Sequence, residues 1–454
     1  MNIIHYIIGI PPFRKGGAAI YAVDLLKAQS LIEGCNVSIL IPGDTLRFGK
    51  FSSFKRIRDF KGIHCYALEN PVIEPLMNGV RSAEYILNEE RDFDKKNLEN
   101  FYNETKPDLI HIHTLMGIPR KFLLYMKNKG VKIVITSHDY YGLCPRVNLI
   151  DKYGNICNDT SGVYCQDCNS GAKQLWKLKL INSSLFVYGK RYIPLFIKKN
   201  FKQSLAIPPK TKGQLKKDNS DSFIRLRQYY KSIFNLIDAI HYNSNVSKNI
   251  FTKHIDLPYN QVIPITNEQI SDRRRKKEFT SHIRFTFIGG LGQSKGFPLL
   301  KEVLVKLHEG NYKDWELNQW GTSLIAQDND CRNINYKGRY IASQLEAIYD
   351  NTDVLVIPSV WSETFSFVAL EALSFGVPVL MSENVGAQLL IKDIAPSFIF
   401  HDKKGLENKI REILENPQEL DLYNSRILAA KNINFSEQKH AKDIVDFYKY
   451  VILK

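Results

Sequence analysis

The stretch Asp353-Val-Leu-Val-Ile-Pro-Ser-Val-Trp-Ser-Glu-Thr-Phe-Ser-Phe-Val-Ala-Leu-Glu-Ala-Leu-Ser-Phe-Gly-Val-Pro-Val-Leu380 decides the fold. The apolar run Val354 to Ile357 predicts a strand buried on both faces. Pro358 and Ser359 end it, and a short polar loop carries Glu363. Thr364 and Ser366 are candidate N-caps for a helix that runs through Glu371 and Leu373. Gly376 is placed to stop that helix, and Val377 to Leu380 restart a strand. Strand, loop, helix and strand make a βαβ unit. In open α/β sheets, ligands bind beyond the carboxyl ends of the strands, where this loop lies. N–H groups at a helix start seat phosphate well. Carboxylates do not, so Glu363 and Glu371 suit hydroxyls, as on a sugar or a ribose. On one continuous helix at 100° per residue they stand roughly 80° apart and share a face.

The chain of 454 residues is too long for one ordinary core and implies two or three domains. A formal net charge of +15 favours anionic partners, whether nucleic acid, acidic lipid or a phosphorylated substrate. No window is long and apolar enough to span a membrane. The start, Met1-Asn-Ile-Ile-His-Tyr-Ile-Ile, has no basic n-region and reads as a first strand. The expectation is a cytoplasmic protein whose seven cysteines form no disulfide framework.

From the N-terminus the α/β rhythm is already present. Ile3 to Ile8 predicts a strand, Gly16 and Gly17 sit in the loop after it, a helix covers Ala18 to Glu33, and Val37 to Ile41 is a second strand. The glycine pair allows close backbone approach to a ligand. Residues 45 to 100 show little pattern, and Glu89-Glu-Arg-Asp-Phe-Asp-Lys-Lys reads as a solvated helical face. Strands at 107–113 and 131–136 end in His111 and His113 and in Ser137-His138-Asp139. Several histidines at the ends of one sheet's strands point to a ligand site.

Cys144, Cys157, Cys165 and Cys168 follow within 25 residues. The Cys-x-x-Cys pair with two further thiolates suits a structural zinc site closed to catalysis; free thiols or a redox pair are the alternatives. Residues 171–232 are basic with interleaved aromatics, among them Trp176, Tyr192, Phe196, Phe201, Lys210 and Lys212. Such a stretch suits an anionic membrane surface, and no nucleic-acid reading module accompanies it. Ser271-Asp-Arg-Arg-Arg-Lys-Lys-Glu278 has no apolar period and reads as a linker. Beyond it lie a strand at 283–288, the turn Gly289-Gly-Leu-Gly-Gln-Ser-Lys-Gly296 and a helix from Pro298. A lysine in a glycine-rich turn at a helix start is a good phosphate contact.

Two α/β halves with these motifs resemble the GT-B architecture, and specifically the retaining glycosyltransferases of family 4. Four features carry the resemblance: Glu363-x7-Glu371 within its strand and helix, Gly289 to Lys295-Gly296 after the first strand of the second half, Gly16-Gly17, and His138 at a strand end. The resemblance implies an α/β fold of two Rossmann-like doubly wound domains facing an interdomain cleft. An N-terminal acceptor-side domain would cover 1–268, with an insertion at about 140–232, and a linker 269–281. A nucleotide-sugar domain would cover 282–435, and a terminal helix at 436–454 would cross back. It implies that Glu363 and His138 act at the donor sugar and that Glu371 holds the ribose. Backbone amides at Thr364, Phe365 and Ser366, with Lys295, Gly289 and Gly290, would cradle the diphosphate, and Gly16 and Gly17 would pack on the donor. Gly290 stands where the family often has arginine, and Ile265-Thr266-Asn267-Glu268 where it often has Asn-Gly.

The function so implied is metal-independent hexosyl transfer, with retention, from a UDP- or GDP-sugar. The acceptor is a glycan or lipid-linked glycan in capsule or O-antigen assembly, and the enzyme is peripheral on the inner face of the cell membrane. It needs no catalytic cofactor and no specific nucleic acid. The rival readings are another sugar-nucleotide enzyme of this fold, such as an epimerase or phosphorylase, and a basic adaptor with a vestigial cleft.

Overall fold

The computed structural model describes all residues except 13, 15, 46–49, 76, 78, 89, 184–185, 187–188, 190–214, 218–220 and 257–258. Tyr192, Phe196, Phe201, Lys210 and Lys212 of the basic aromatic stretch therefore lie outside the described residues. The chain divides into two units. The first comprises Met1–Tyr242, Lys248–Ile263 and Ala441–Lys454, and the second Asn243–Ser247 and Pro264–His440. Among the described residues no helix is long and apolar enough to cross a membrane.

The first unit is built on β1 (Asn2–Tyr6), β2 (Asn36–Pro42), β3 (Phe51–Phe60), β4 (Ile63–Glu69), β5 (Asp92–Phe93), β6 (Leu109–Ile112), β7 (Lys132–Thr136), β8 (Ala239–Tyr242) and β9 (Asn260–Val262). Their order in the sheet is β5-β3-β4-β2-β1-β6-β7-β8-β9. β1 lies between β2 and β6, both parallel to it. The strand order therefore reverses at β1, and the loops after β1 and β6 flank the crevice where such sheets take ligands. Fully buried Ile3, Ile4, Leu109, Ile110, Ile133 and Val134 explain the continuous apolar runs.

Residues 45–100, unpatterned in sequence, hold an antiparallel hairpin, β3 with β4. Its turn places Lys61 and Gly62 at φ 51° and 81°, the positive-φ pair of a two-residue hairpin. Lys-Gly is a weaker turn signal than Asn-Gly, which is why the hairpin escapes a sequence reading. The charged run is likewise not one solvated helix over its described residues 90–96. Phe93 enters β5 and stacks near Phe54, with ring centroids 5.5 Å apart. Asp94 then accepts the Asn97 N–H at 3.0 Å and caps the helix Lys95–Thr105.

The second unit holds β10 (Ile283–Ile288), β11 (Trp315–Trp320), β12 (Ile325–Gln327), β13 (Ile334–Gly338), β14 (Val354–Ile357), β15 (Val379–Ser382) and β16 (Ile399–Phe400). Their order is β12-β13-β11-β10-β14-β15-β16, so the reversal falls at β10, between β11 and β14. The loops after β10 and β14, which carry Gly289 to Gly296 and Glu363, thus leave the sheet side by side. Most of Ser271 to Glu278 is exposed, and Arg274 and Lys277 tie the segment to this unit. Arg274 Nη1 donates to the carbonyls of Ile427 and Ala430, both at 2.7 Å, at the end of the helix Gln418–Ala429. Buried Lys277 donates to the Tyr349 carbonyl at 2.7 Å.

Candidate active site

In the second unit, two loops are locked together by a glycine. Gly296 has φ 76°, and a Cβ there would stand 1.7 Å from the Pro358 carbonyl oxygen. The Val360 N–H donates to the Ser294 carbonyl at 3.0 Å, closing the contact from the other side. This close approach brings Lys295 to Glu363: Nζ lies 2.5 Å from Oε1, and 5.4 Å from the centre of the Trp361 ring. Ser359 Oγ donates to Glu363 Oε2 at 2.7 Å, so both carboxylate oxygens are held. The Glu363 backbone is pinned as well. Its N–H donates to the Asn384 carbonyl and its carbonyl accepts from Gly386, each at 2.8 Å. A Cβ at Gly386 would come within 2.1 Å of the Thr364 carbonyl oxygen, so this neighbour too must be glycine.

The helix that follows spans Phe367–Ser374, with Ser366 as its N-cap. Glu363 is therefore in the loop and not on the helix, and the shared-face geometry expected for Glu363 and Glu371 does not apply. The pair is brought near the same helix start by the loop's path. Ser366 adopts φ 127° and ψ 97°, a strained backbone for a residue with a side chain. Its Oγ is buried without a hydrogen-bond partner. Phe365, 3% exposed, anchors the loop, and its carbonyl accepts the Ala387 N–H at 3.1 Å. The first N–H groups of the helix have no partner within it and carry the positive end of its dipole. A strained start, an orphan hydroxyl and a lysine in one loop pair form a seat for a polyanion.

Glu371 lies one turn into the helix. Burial pushes its carboxyl above the usual range, and Tyr349 offsets this in part by donating its hydroxyl to Oε2 at 3.1 Å. Tyr340 faces the same charge, and burial together with Glu371 pushes its phenol up to about 12. A carboxylate so poorly supplied with donors is suited to take them from ligand hydroxyls. Tyr340 and Tyr349 carry no sequence signal, because only the fold brings them to Glu371. A Cβ at Gly290 would meet no described atom within 4 Å, so among the described residues the departure from arginine leaves open space.

In the first unit, Gly16 caps the helix Gly17–Ser30 in an extended conformation, and a Cβ there would meet no described atom within 4 Å. His138 follows β7 and stacks on His113 with ring centroids 5.4 Å apart. His111 and His113, read as ligand-facing, instead belong to a buried polar chain in the sheet with His5 and His241. Near the ends of β1 and β2 is a cavity of about 740 Å³, lined among others by Arg14 and Glu74. Glu74 Oε2 lies 3.2 Å from Arg14 Nη2, and burial pushes the carboxyl up to about 7.

The four cysteines of the proposed zinc set lie in one loop region of this unit. Burial pushes the thiols of Cys165 and Cys168 up to about 11 and 12, and Arg227 Nη2 approaches Cys165 Sγ at 3.6 Å. Among the described residues, the one trio of potential ligand atoms within 4.8 Å of one another is His5, His111 and His113; the cysteines form no such trio. The loop carries turn chemistry of its own. Asp151 accepts the N–H groups of Tyr153 and Asn155, and Asp159 those of Ser161, Gly162 and Tyr164.

Comparison with known proteins bears on this geometry. Residues 282–416 match the family model described as Glycosyl transferases group 1. An uncharacterized 41.2 kDa protein in the cps region of Klebsiella pneumoniae is 26% identical over 213 residues, 46% of this chain. That match spans 57% of the relative's length, little more than half. Among solved structures, sucrose-phosphate synthase from Thermosynechococcus elongatus aligns over 100% of both chains with a TM-score of 0.57 and 15% identity. Anabaena Alr3699/HepE in complex with UDP-glucose aligns over 99% of both with a TM-score of 0.54 and 13% identity. At these identities the structural likeness establishes the fold. Residues 282–416 are thus similar to the glycosyl transferases of group 1, and the fold is that of the GT-B glycosyltransferase structures.

Proposed function

We propose that the chain transfers a hexosyl group, with retention, from a UDP- or GDP-sugar to a glycan or lipid-linked glycan in the assembly of a surface polysaccharide. The observation that carries this reading is the Lys295–Glu363 pair beside the strained, partner-poor start of the helix Phe367–Ser374. The relative in a cps region and the likeness to a fold seen with UDP-glucose support the context and the donor class.

In this reading the diphosphate sits on the amides of Thr364, Phe365 and Ser366 and at the loop of Gly289 and Gly290. Lys295 exchanges part of its contact with Glu363 for the departing phosphate. Glu371 takes the ribose hydroxyls, and Glu363, His138, Gly16 and Gly17 serve the sugar end. The bond from the anomeric carbon to the β-phosphate oxygen breaks, and one from that carbon to the acceptor oxygen forms on the same face. The acceptor's proton passes to the departing phosphate. Amides, a helix dipole and one ammonium can stabilise that leaving group without a metal. The basic stretch 171–232 would hold the enzyme on the anionic inner face of the membrane.

The test is transfer from an identified donor by Lys295→Ala and Glu363→Gln. Each should lower kcat by about 10²-fold or more, the usual cost of removing one preorganised group at a developing charge. Wild-type rates in both would end the assignment. Zinc at Cys144, Cys157, Cys165 and Cys168 belongs to the same reading as a structural staple. One zinc per chain, released when the thiols are alkylated, supports it, and metal-free active protein sinks it.

A further inference from the structure

The core of the first unit contains a file of polar side chains that the transfer reaction does not explain. It starts at the Ile263 carbonyl, which lies 2.7 Å from His241 Nε2. His241 Nδ1 is 2.9 Å from Thr136 Oγ1, and that oxygen is 2.6 Å from His111 Nε2. His111 Nδ1 is 2.5 Å from the Tyr448 hydroxyl, on the helix Glu437–Leu453. Gln29 joins Tyr448, at 3.4 Å, to His5 Nε2, at 2.8 Å. His5 Nδ1 then meets His113 Nε2 at 3.1 Å, and His113 Nδ1 meets His138 Nε2 at 3.2 Å.

Each link has only one consistent direction. A carbonyl can only accept, so His241 Nε2 carries the proton, and its neutral ring leaves Nδ1 as an acceptor for the Thr136 hydroxyl. Threonine has one proton to give, so it must accept from His111 Nε2–H. His111 Nδ1 then accepts from Tyr448, which in turn must accept from the Gln29 amide N–H. That orientation turns Gln29 Oε1 to His5 Nε2–H, and the same alternation runs through His113 to His138. Burial favours the neutral rings this requires: it lowers His5 and His241 to about 4 and His138 to about 3, and holds His113 well below its ordinary range. It also explains the trio His5, His111 and His113. Both nitrogens of each ring are already in hydrogen bonds, so protons and not a metal ion satisfy them.

We infer that the Ile263 carbonyl, Thr136, Tyr448 and Gln29 are positioning residues that act through this file to hold His138 in its Nε2–H tautomer. His138 thereby presents Nδ1 as a hydrogen-bond acceptor. The consequence for catalysis rests on the proposed role of His138 at the donor sugar, where an acceptor nitrogen suits a hydroxyl and a donor nitrogen does not. The tautomer itself does not depend on that role.

The direction is set remotely, so it can be erased remotely. Tyr448→Phe keeps the ring and removes the link between His111 and Gln29; the Gln29 amide can then turn over and reverse His5, His113 and His138 together. Thr136→Val is nearly isosteric and cuts the file closer to the carbonyl, with the same result. Histidine-selective ¹⁵N labelling and long-range ¹H–¹⁵N correlation read the tautomers in the full-length protein without any ligand. The His138 signals are identified by their loss in His138→Gln. The wild type should show His138 as Nε2–H alone, and each variant should show a second, Nδ1–H population. A wild-type Nδ1–H tautomer, or an unchanged Nε2–H signal in either folded variant, overturns the inference. Transfer kinetics then test the catalytic consequence separately. With the two tautomers equally populated, kcat falls about twofold at unchanged donor KM, because half the molecules are competent.

Discussion

Replacing Gly296 by alanine tests how the glycine-rich turn builds the proposed phosphate seat. Three costs can be worked out at this position. Alanine at φ 76° pays about 1–2 kcal/mol for a left-handed backbone. Its Cβ would stand 1.7 Å from the Pro358 carbonyl oxygen and 2.5 Å from the carbonyl carbon. Both are backbone atoms, so the two loops must part, at about 1–3 kcal/mol for a forced core displacement. Parting them breaks the hydrogen bond from Val360 N–H to the Ser294 carbonyl, worth about 1 kcal/mol. The sum is about 3–6 kcal/mol. For a unit of this size each kcal/mol moves Tm by about 2–4 °C, so the second unit should melt about 6–24 °C lower. The same displacement carries Lys295 away from Glu363, so stabilisation by UDP or GDP should fall together with Tm. Differential scanning calorimetry with and without nucleotide reads both effects. A Gly296→Ala protein that melts within about 2 °C of wild type, with its nucleotide shift intact, would refute the steric argument.

Two further outcomes follow from the geometry. Gly290→Arg places a cation in open space beside the seat and should tighten nucleoside diphosphate binding about two- to fivefold at low salt, the yield of a screened surface charge. Titration calorimetry at two ionic strengths checks this, and weaker binding would mean the space is needed by the ligand. Glu74 gives a pH signature. Its carboxyl is raised from 4.5 to about 7 in the folded protein, so the native state holds the proton more tightly than the unfolded chain does. That contribution is complete below about pH 4.5 and is lost as pH rises through about 7. Glu74→Gln cannot lose it, so its urea midpoint relative to wild type should rise between pH 5 and pH 8. The corresponding rise in unfolding free energy should reach at most about 3 kcal/mol, and a pH-independent difference would contradict the assignment.

The central strands of the second unit were legible because they are largely buried and read as mainly apolar runs. Val354 to Ile357 and Ile283 to Ile288 coincide with observed strands. The β3–β4 hairpin was not legible, because half its residues face water and its turn is Lys-Gly. The contacts of Ser271 to Glu278 were not legible for a related reason: composition counts charges but cannot tell whether an arginine meets solvent or the carbonyls at a helix end, as Arg274 does.

For the site, local sequence singled out a lysine among glycines in one loop and, in another, two glutamates on either side of a helix start. The two glutamates lie close in the chain, so spacing alone keeps them near that helix start. Tertiary structure decided the rest. It set Lys295 against Glu363 across 68 residues, because Gly296 lets two loops touch where any Cβ would keep them apart. It brought Tyr349 to Glu371, and it joined Ile263, Tyr448 and His138 through one file of hydrogen bonds. Such links are set by how strands and helices pack, and residues far apart in sequence carry no mark of the partner that packing will give them.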